Sequence, residues 1–142
     1  MKRKETLILI EIAVMIAVFA LAAGICLRIF ALSGRMSAEN TARDRCVTEA
    51  RNAAEMLGYC AGDLDAACGT YGGAVTDSCW VIRYDENWTV TPDGGAYVLT
   101  AEPVPTESEY LGKAVITVRD AEDDVIFTVP AAWQTGGMDD ET

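Results

Sequence analysis

The stretch that most restricts what this chain can become is LILIEIAVMIAVFALAAGICL, Leu7 to Leu27, an apolar run broken once, by Glu11. From Leu7 to Leu32 the charged residues are Glu11 and Arg28, and Ile12 to Leu27 gives 16 residues without a charge. A bilayer core about 30 Å thick is crossed by about 20 helical residues, so the 26 residues of 7–32 suffice with some tilt. A cleaved secretory signal is the competing assignment. Its apolar core usually holds about 7 to 15 residues and ends at small residues before a loop. Here the run is longer and flows into helix-forming sequence, so an uncleaved single-pass helix is the better reading.

Orientation follows from the basic cluster MKRK. It is retained on the cytoplasmic side of the cytoplasmic membrane and leaves the C-terminal domain outside, a bias that Arg28 and Arg35 weaken. The expected organisation is a basic cytoplasmic leader over 1–6, a transmembrane helix over 7–32, an extracytoplasmic domain over 33–134 and a disordered acidic tail over 135–142.

Beyond the anchor the composition changes. Ser33 to Thr142 holds 7 basic and 20 acidic residues (22 less Glu5 and Glu11), a net charge of 7 − 20 = −13. A domain this acidic repels phosphate backbones, so direct nucleic-acid binding is not expected. The chain has no histidine, which removes the residue most used as general base, proton shuttle or zinc ligand. There is no Gly-rich phosphate loop and no carboxylate pair in a catalytic context. The chain therefore reads as a non-enzymatic protein with no cofactor and no small-molecule substrate.

After the anchor, RMSAENTARDRCVTEARNAAEML (Arg35 to Leu57) contains neither Pro nor Gly. Ala42, Cys46, Ala50, Ala53 and Leu57 recur in steps of 4, 4, 3 and 4, one face of an amphipathic helix over 35–58 with Gly58 as its C-terminal cap. Arg43, Arg45, Glu49 and Glu55 lie on the polar face. Ser33 and Gly34 are weak breaks, so anchor and amphipathic segment read as one rod of about 50 residues, bent near that pair. A coiled-coil stalk is the weaker alternative, because Ala-dominated positions cover barely three heptads.

From Ser78 the period changes to 2. SCWVIRY (78–84) reads as a strand, DEN as a turn, WTVT (88–91) as its hairpin partner and PDGG as a second turn. AYVLTAEPV, KAVITVRD and DVIFTVPAAW follow as further strands, the last two around the acidic turn DAEDD at Asp120 to Asp124. Four or five short antiparallel strands within 78–130 make a meander. Helix first and sheet afterwards is an α+β order, a long helix packed on a small antiparallel sheet.

With TLILIEIAVMIAVFALAAGI (Thr6 to Ile25), that long helix and the meander on the page, the chain resembles the type IV pilins and the pseudopilins of type II secretion and competence systems, as a divergent minor member. In that family a short basic leader ending in Gly is cut ahead of an apolar helix whose fifth-position Glu pairs with the N-terminal amine of a neighbouring subunit. The family's Leu-Ile-Glu falls on Leu9, Ile10 and Glu11. That match places the processing site between Thr6 and Leu7, with Thr6 where the family has Gly, and gives Glu11 the assembly role. The resemblance implies as partners the membrane, other pilin-like subunits and an assembly platform. It implies a subunit of an extracytoplasmic filament, secretion or competence apparatus. The competing expectation is a signal-anchored surface module for binding or scaffolding that does not polymerise. In that case Glu11 reaches the cytoplasmic interface or stays protonated.

Cys26 lies in the span, and Cys46, Cys60, Cys68 and Cys79 follow it. Four cysteines in an exported domain suggest two disulfides. The preferred pairs are Cys60 with Cys68, closing CAGDLDAAC in a Cys loop over 59–77, and Cys46 with Cys79, tying helix to sheet. Free thiols are the second reading. A zinc site is the third, and spacings of 14, 8 and 11 without a Cys-x-x-Cys pair argue against it. Asp63, Asp65 and Asp120 to Asp124 offer oxygen ligands without EF-hand spacing, which favours solvated acidic loops over calcium sites. The NWT at Asn87 fits an N-glycosylation pattern. Trp80, Trp88 and Trp133 are expected in sheet packing.

Overall fold

A computed structural model describes residues 2–136; the expected acidic tail lies outside them from residue 137 onward. Two helices precede five strands: α1 (Lys2–Tyr59), α2 (Leu64–Tyr71), β1 (Ala74–Thr76), β2 (Cys79–Tyr84), β3 (Tyr97–Val104), β4 (Leu111–Asp120) and β5 (Val125–Gln134). The fold is α+β, with a long N-terminal helix and one open antiparallel sheet, as the sequence predicts. The chain forms two compact units, Met1–Thr41 and Ala42–Thr142.

The first unit is helix alone. Ser33 and Gly34 do not interrupt it.

In the second unit the C-terminal part of α1 meets the sheet. Cys46, Ala50, Ala53 and Leu57 are fully buried, and their core partners are Trp80 and Ile82 of β2, Leu99 and Ala101 of β3, and Ile116 and Val118 of β4. The buried stripe is the one read from the spacing, except that Ala42 at its start is only half-buried. Small residues at 50 and 53 let the helix backbone approach the sheet, and the large volume comes from the sheet side. Gly58 is not the cap, because the helix continues to Tyr59 and is closed by Gly62, whose N–H donates to the Leu57 carbonyl at 2.8 Å. Gly62 has φ +82°, the left-handed conformation that ends helices at least cost in glycine.

The strand order is β1-β2-β3-β4-β5, every pair antiparallel. Two local expectations need correction. Residues 59–77 are not a simple loop. Asp63 caps α2, its Oδ1 accepting the N–H of Asp65 and Ala66. Ala74–Thr76 then pairs with β2 through a turn in which Asp77 (φ 51°) and Ser78 (φ 64°) are both left-handed, the geometry that suits a two-residue hairpin. The second correction concerns Trp88–Thr91, which meets only the end of β2 and forms no strand of its own. Val90 bridges to Tyr84, flanked by the Asp85 N–H donating to the Thr89 carbonyl at 2.9 Å and the Thr91 N–H donating to the Arg83 carbonyl at 2.8 Å, while β3 pairs along the other edge of β2 from Trp80↔Ala101 to Tyr84↔Tyr97. Residues 85–96 form a loop held by Asp85, whose Oδ1 accepts the N–H of Asn87 and Thr89. Trp88, at φ 62°, turns its ring onto Tyr97 at 4.3 Å between centroids and 11° between planes. A bulky residue at positive φ is strained, and the stacking offsets that strain.

Candidate assembly site on the apolar helix

Every residue of 2–41 in α1 is exposed. Leu7 is 64%, Phe19 77% and Phe30 81% accessible. This is not the one-sided stripe of a surface helix. Apolar side chains cover the whole circumference from Leu7 to Leu32, which suits lipid or other helices rather than water. The helix is long and apolar enough to cross a membrane.

Glu11 sits on this surface. Its neighbours one turn away are Leu7, Ile8, Val14 and Met15, and none can donate a hydrogen bond from its side chain. Among the described residues the ion pair is Arg119–Asp123, at 3.4 Å; Glu11 is in none. Lys2, Arg3 and Lys4 are seven to nine residues earlier, about 10 to 14 Å along the axis. Thr6 and Leu7 both lie within the helix, and the Thr6 hydroxyl donates to the Lys2 carbonyl at 2.8 Å. The bond between them is thus part of a hydrogen-bonded turn.

The second unit holds a polar feature that sequence reasoning missed. Glu49, read as part of the outer polar face, borders the buried stripe beside Ala50. Its Oε2 accepts from the Tyr71 hydroxyl at 2.5 Å and the Tyr84 hydroxyl at 3.3 Å. One carboxylate thereby links α1, α2 and β2. Burial, followed by the nearby Glu49, pushes both phenols above their usual 10.0. The signal in the sequence was an acid adjacent to a buried position, which becomes meaningful once its two phenol partners are known. Beside it, Trp80 Nε1 donates to the Gly72 carbonyl at 2.8 Å.

The cysteines do not form the expected disulfides. All five are free thiols. Cys46 is sealed in the helix–sheet core, where burial raises its thiol to about 11. Cys60 Sγ leans back along its own helix to Met56 Sδ at 3.9 Å, and Cys68 Sγ donates to the Gly73 carbonyl at 3.1 Å. Cys79 is half-buried at the start of β2. Each side chain beyond the anchor is thus committed to its local surroundings, so neither Cys60–Cys68 nor Cys46–Cys79 is bridged.

Asp120, Glu122 and Asp124 bring carboxylate oxygens within 4.8 Å of one another. One of those carboxylates is already engaged: Asp120 Oδ1 accepts the N–H of Glu122 and of Asp124, closing the β4–β5 turn. Calcium takes about six to eight oxygen ligands, so the trio is at most part of a site. The three tryptophans pack against the core cluster, Trp80 buried within it and Trp88 and Trp133 at its margin.

Compared with known protein families, curated proteins and solved structures, the chain matches none.

Proposed function

We propose that this chain is a non-enzymatic, membrane-anchored, pilin-like subunit of an extracytoplasmic filament, secretion or competence apparatus. Its N-terminus is cytoplasmic and its sheet-bearing unit faces outward from the cytoplasmic membrane. The observation that carries the reading is Glu11, an acid without an ion-pair partner among the described residues, on a helix that is apolar all round. An isolated carboxylate in hydrocarbon is costly, and a cation from a neighbouring subunit offsets that cost. The amphipathic continuation of the helix and its antiparallel meander support the same assignment. The partners are other pilin-like subunits and an assembly platform.

A second reading has its own support. Thr6 stands where pilin-like leaders carry Gly, and the Thr6–Leu7 bond is folded into a helical turn. Both features suit a signal-anchored binding or scaffold module that does not polymerise.

Replacing Glu11 separates the two. In cells, Glu11→Ala should leave membrane insertion intact and reduce cross-linking between copies, or recovery in sheared filaments, by at least tenfold. Equal recovery of variant and wild type would favour the scaffold reading. N-terminal sequencing of the membrane-extracted protein adds an independent test, since a chain starting at Leu7 marks processing between Thr6 and Leu7.

A further inference from the structure

We infer that Arg28 and Arg35 bind the phosphate of an anionic phospholipid headgroup where the apolar helix leaves the membrane; the inference rests on the membrane-anchor reading above. The two residues are seven apart, two helical turns, so they share one face with a drift of about 20°. They line an open groove on the helix surface together with the apolar residues Ile29, Ala31 and Leu32.

Depth selects the ligand. Counted from Leu7, Arg28 is about 32 Å and Arg35 about 42 Å along the axis. With Leu7 at the near edge of a hydrocarbon core of about 30 Å and headgroup layers of about 5 to 7 Å on each side, Arg28 falls just inside the far headgroup layer and Arg35 about 5 Å beyond it. Helical side chains lean toward the N-terminus, so Arg35 reaches back into that layer. The Arg28 stem lies along apolar surface while its head turns outward. Arg28 is thus level with the headgroups, and Arg35 reaches them from the water side.

Neither arginine forms an ion pair among the described residues. The residues one turn from Arg28 are Gly24, Ile25, Ala31 and Leu32, all uncharged. Glu39, one turn beyond Arg35, is not paired with it: among the described residues the ion pair is Arg119–Asp123. Planar guanidinium groups bind phosphate oxygens through two parallel hydrogen bonds, which a point charge cannot do. Local cations also offset the charge of the residues from Ser33 onward, −13 (7 − 20), which by itself is repelled from anionic headgroups.

The test uses the full chain reconstituted into vesicles of phosphatidylcholine alone or of equal phosphatidylcholine and phosphatidylglycerol. Vesicle flotation scores insertion, and native mass spectrometry scores the lipid retained. Wild type should insert in both and retain phosphatidylglycerol over phosphatidylcholine. The preference should fall about fivefold for each of Arg28→Gln and Arg35→Gln, and less for the Lys variants. Arg43→Gln, in the other unit, should leave it unchanged, and inorganic phosphate should not displace the lipid. Insertion without a headgroup preference, or a preference unaltered in the Arg28→Gln/Arg35→Gln double variant, overturns the lipid site and leaves the anchor standing. Displacement by inorganic phosphate overturns the lipid as ligand. Failure of wild type to float with either vesicle overturns the anchor and the lipid site together.

Discussion

Trp133 lays its indole against Gly112, its cross-strand partner on β4, so closely that a Cβ at residue 112 would clash with the indole Nε1 and Cε2. Gly62, the residue that closes α1, meets the same indole: a Cβ there would come within 2.5 Å of its six-membered ring. One aromatic side chain therefore fills the space over a strand and beside the helix terminus, and both neighbours are glycine because no side chain fits.

Substitution at residue 112 should accordingly be costly. Gly112→Ala must displace the indole, and overpacking of this kind costs about 1 to 3 kcal/mol. Gly69, inside α2 with open space around its would-be Cβ, provides the contrast. Gly69→Ala should stabilise by about 0.5 to 1 kcal/mol through helix propensity. Urea unfolding followed by tryptophan fluorescence should move the two midpoints in opposite directions; equal midpoints would contradict the packing described for Trp133.

The Glu49 bridge should act as a unit. Glu49→Ala removes the carboxylate acceptor of the Tyr71 and Tyr84 hydroxyls and should cost about 1 to 3 kcal/mol, whereas Tyr71→Phe should cost about 1 kcal/mol. In the Glu49→Ala background, Tyr71→Phe should cost almost nothing, because the hydroxyl it removes has already lost its partner. Additive losses in the double variant would show that the bond contributes no stability.

Alkaline pH should destabilise the second unit in a window set by its buried acids. Cys46 is raised from 9.0 to about 11, and Tyr71 and Tyr84 are raised from 10.0. Where the folded chain still holds these protons, the unfolded chain has released them, so stability falls as pH rises. The decline should begin near pH 9, steepen beyond pH 10, and include on the order of 2 kcal/mol from Cys46 by pH 11. Denaturant midpoints measured between pH 7 and 11 should show this limb, with the portion below pH 10 flattened in Cys46→Ala.

Thiol accessibility provides a fourth check. In the native protein, Cys46 should resist alkylation at neutral pH, since it is fully buried and its thiolate is scarce. Cys60, Cys68 and Cys79 should react without prior reduction, and Cys46 should join them on denaturation. A requirement for reductant before these thiols react would contradict the free-thiol state.

The strongest periodic signals in the sequence translated directly into structure. Sixteen uncharged residues from Ile12 to Leu27 make a helix whichever way its neighbours are arranged. The stripe Cys46, Ala50, Ala53 and Leu57 is buried as its spacing predicts, because many residues repeat one preference and no single contact can reverse their sum. The alternation after Ser78 likewise yields an antiparallel meander.

The tertiary structure decided what depends on one partner distant in the chain. Trp88 to Thr91 has strand-like composition, yet it meets β2 only at Tyr84 through Val90, and Trp88 stacks its ring on Tyr97. Ala74 to Thr76 becomes a strand because the left-handed pair Asp77 and Ser78 folds it back onto β2, a turn without the Asn-Gly or Asp-Gly that would announce it. Glu49 is an ordinary exposed-face acid until Tyr71 and Tyr84 arrive from 22 and 35 residues away. The cysteines, four of them beyond residue 41, remain thiols: Cys46, Cys68 and Cys79 are placed by α1, α2 and β2, and Cys60 by the turn between the helices. Pattern fixes elements because it is additive along the chain. Individual contacts escape it because they depend on distance in space, which the linear order does not encode.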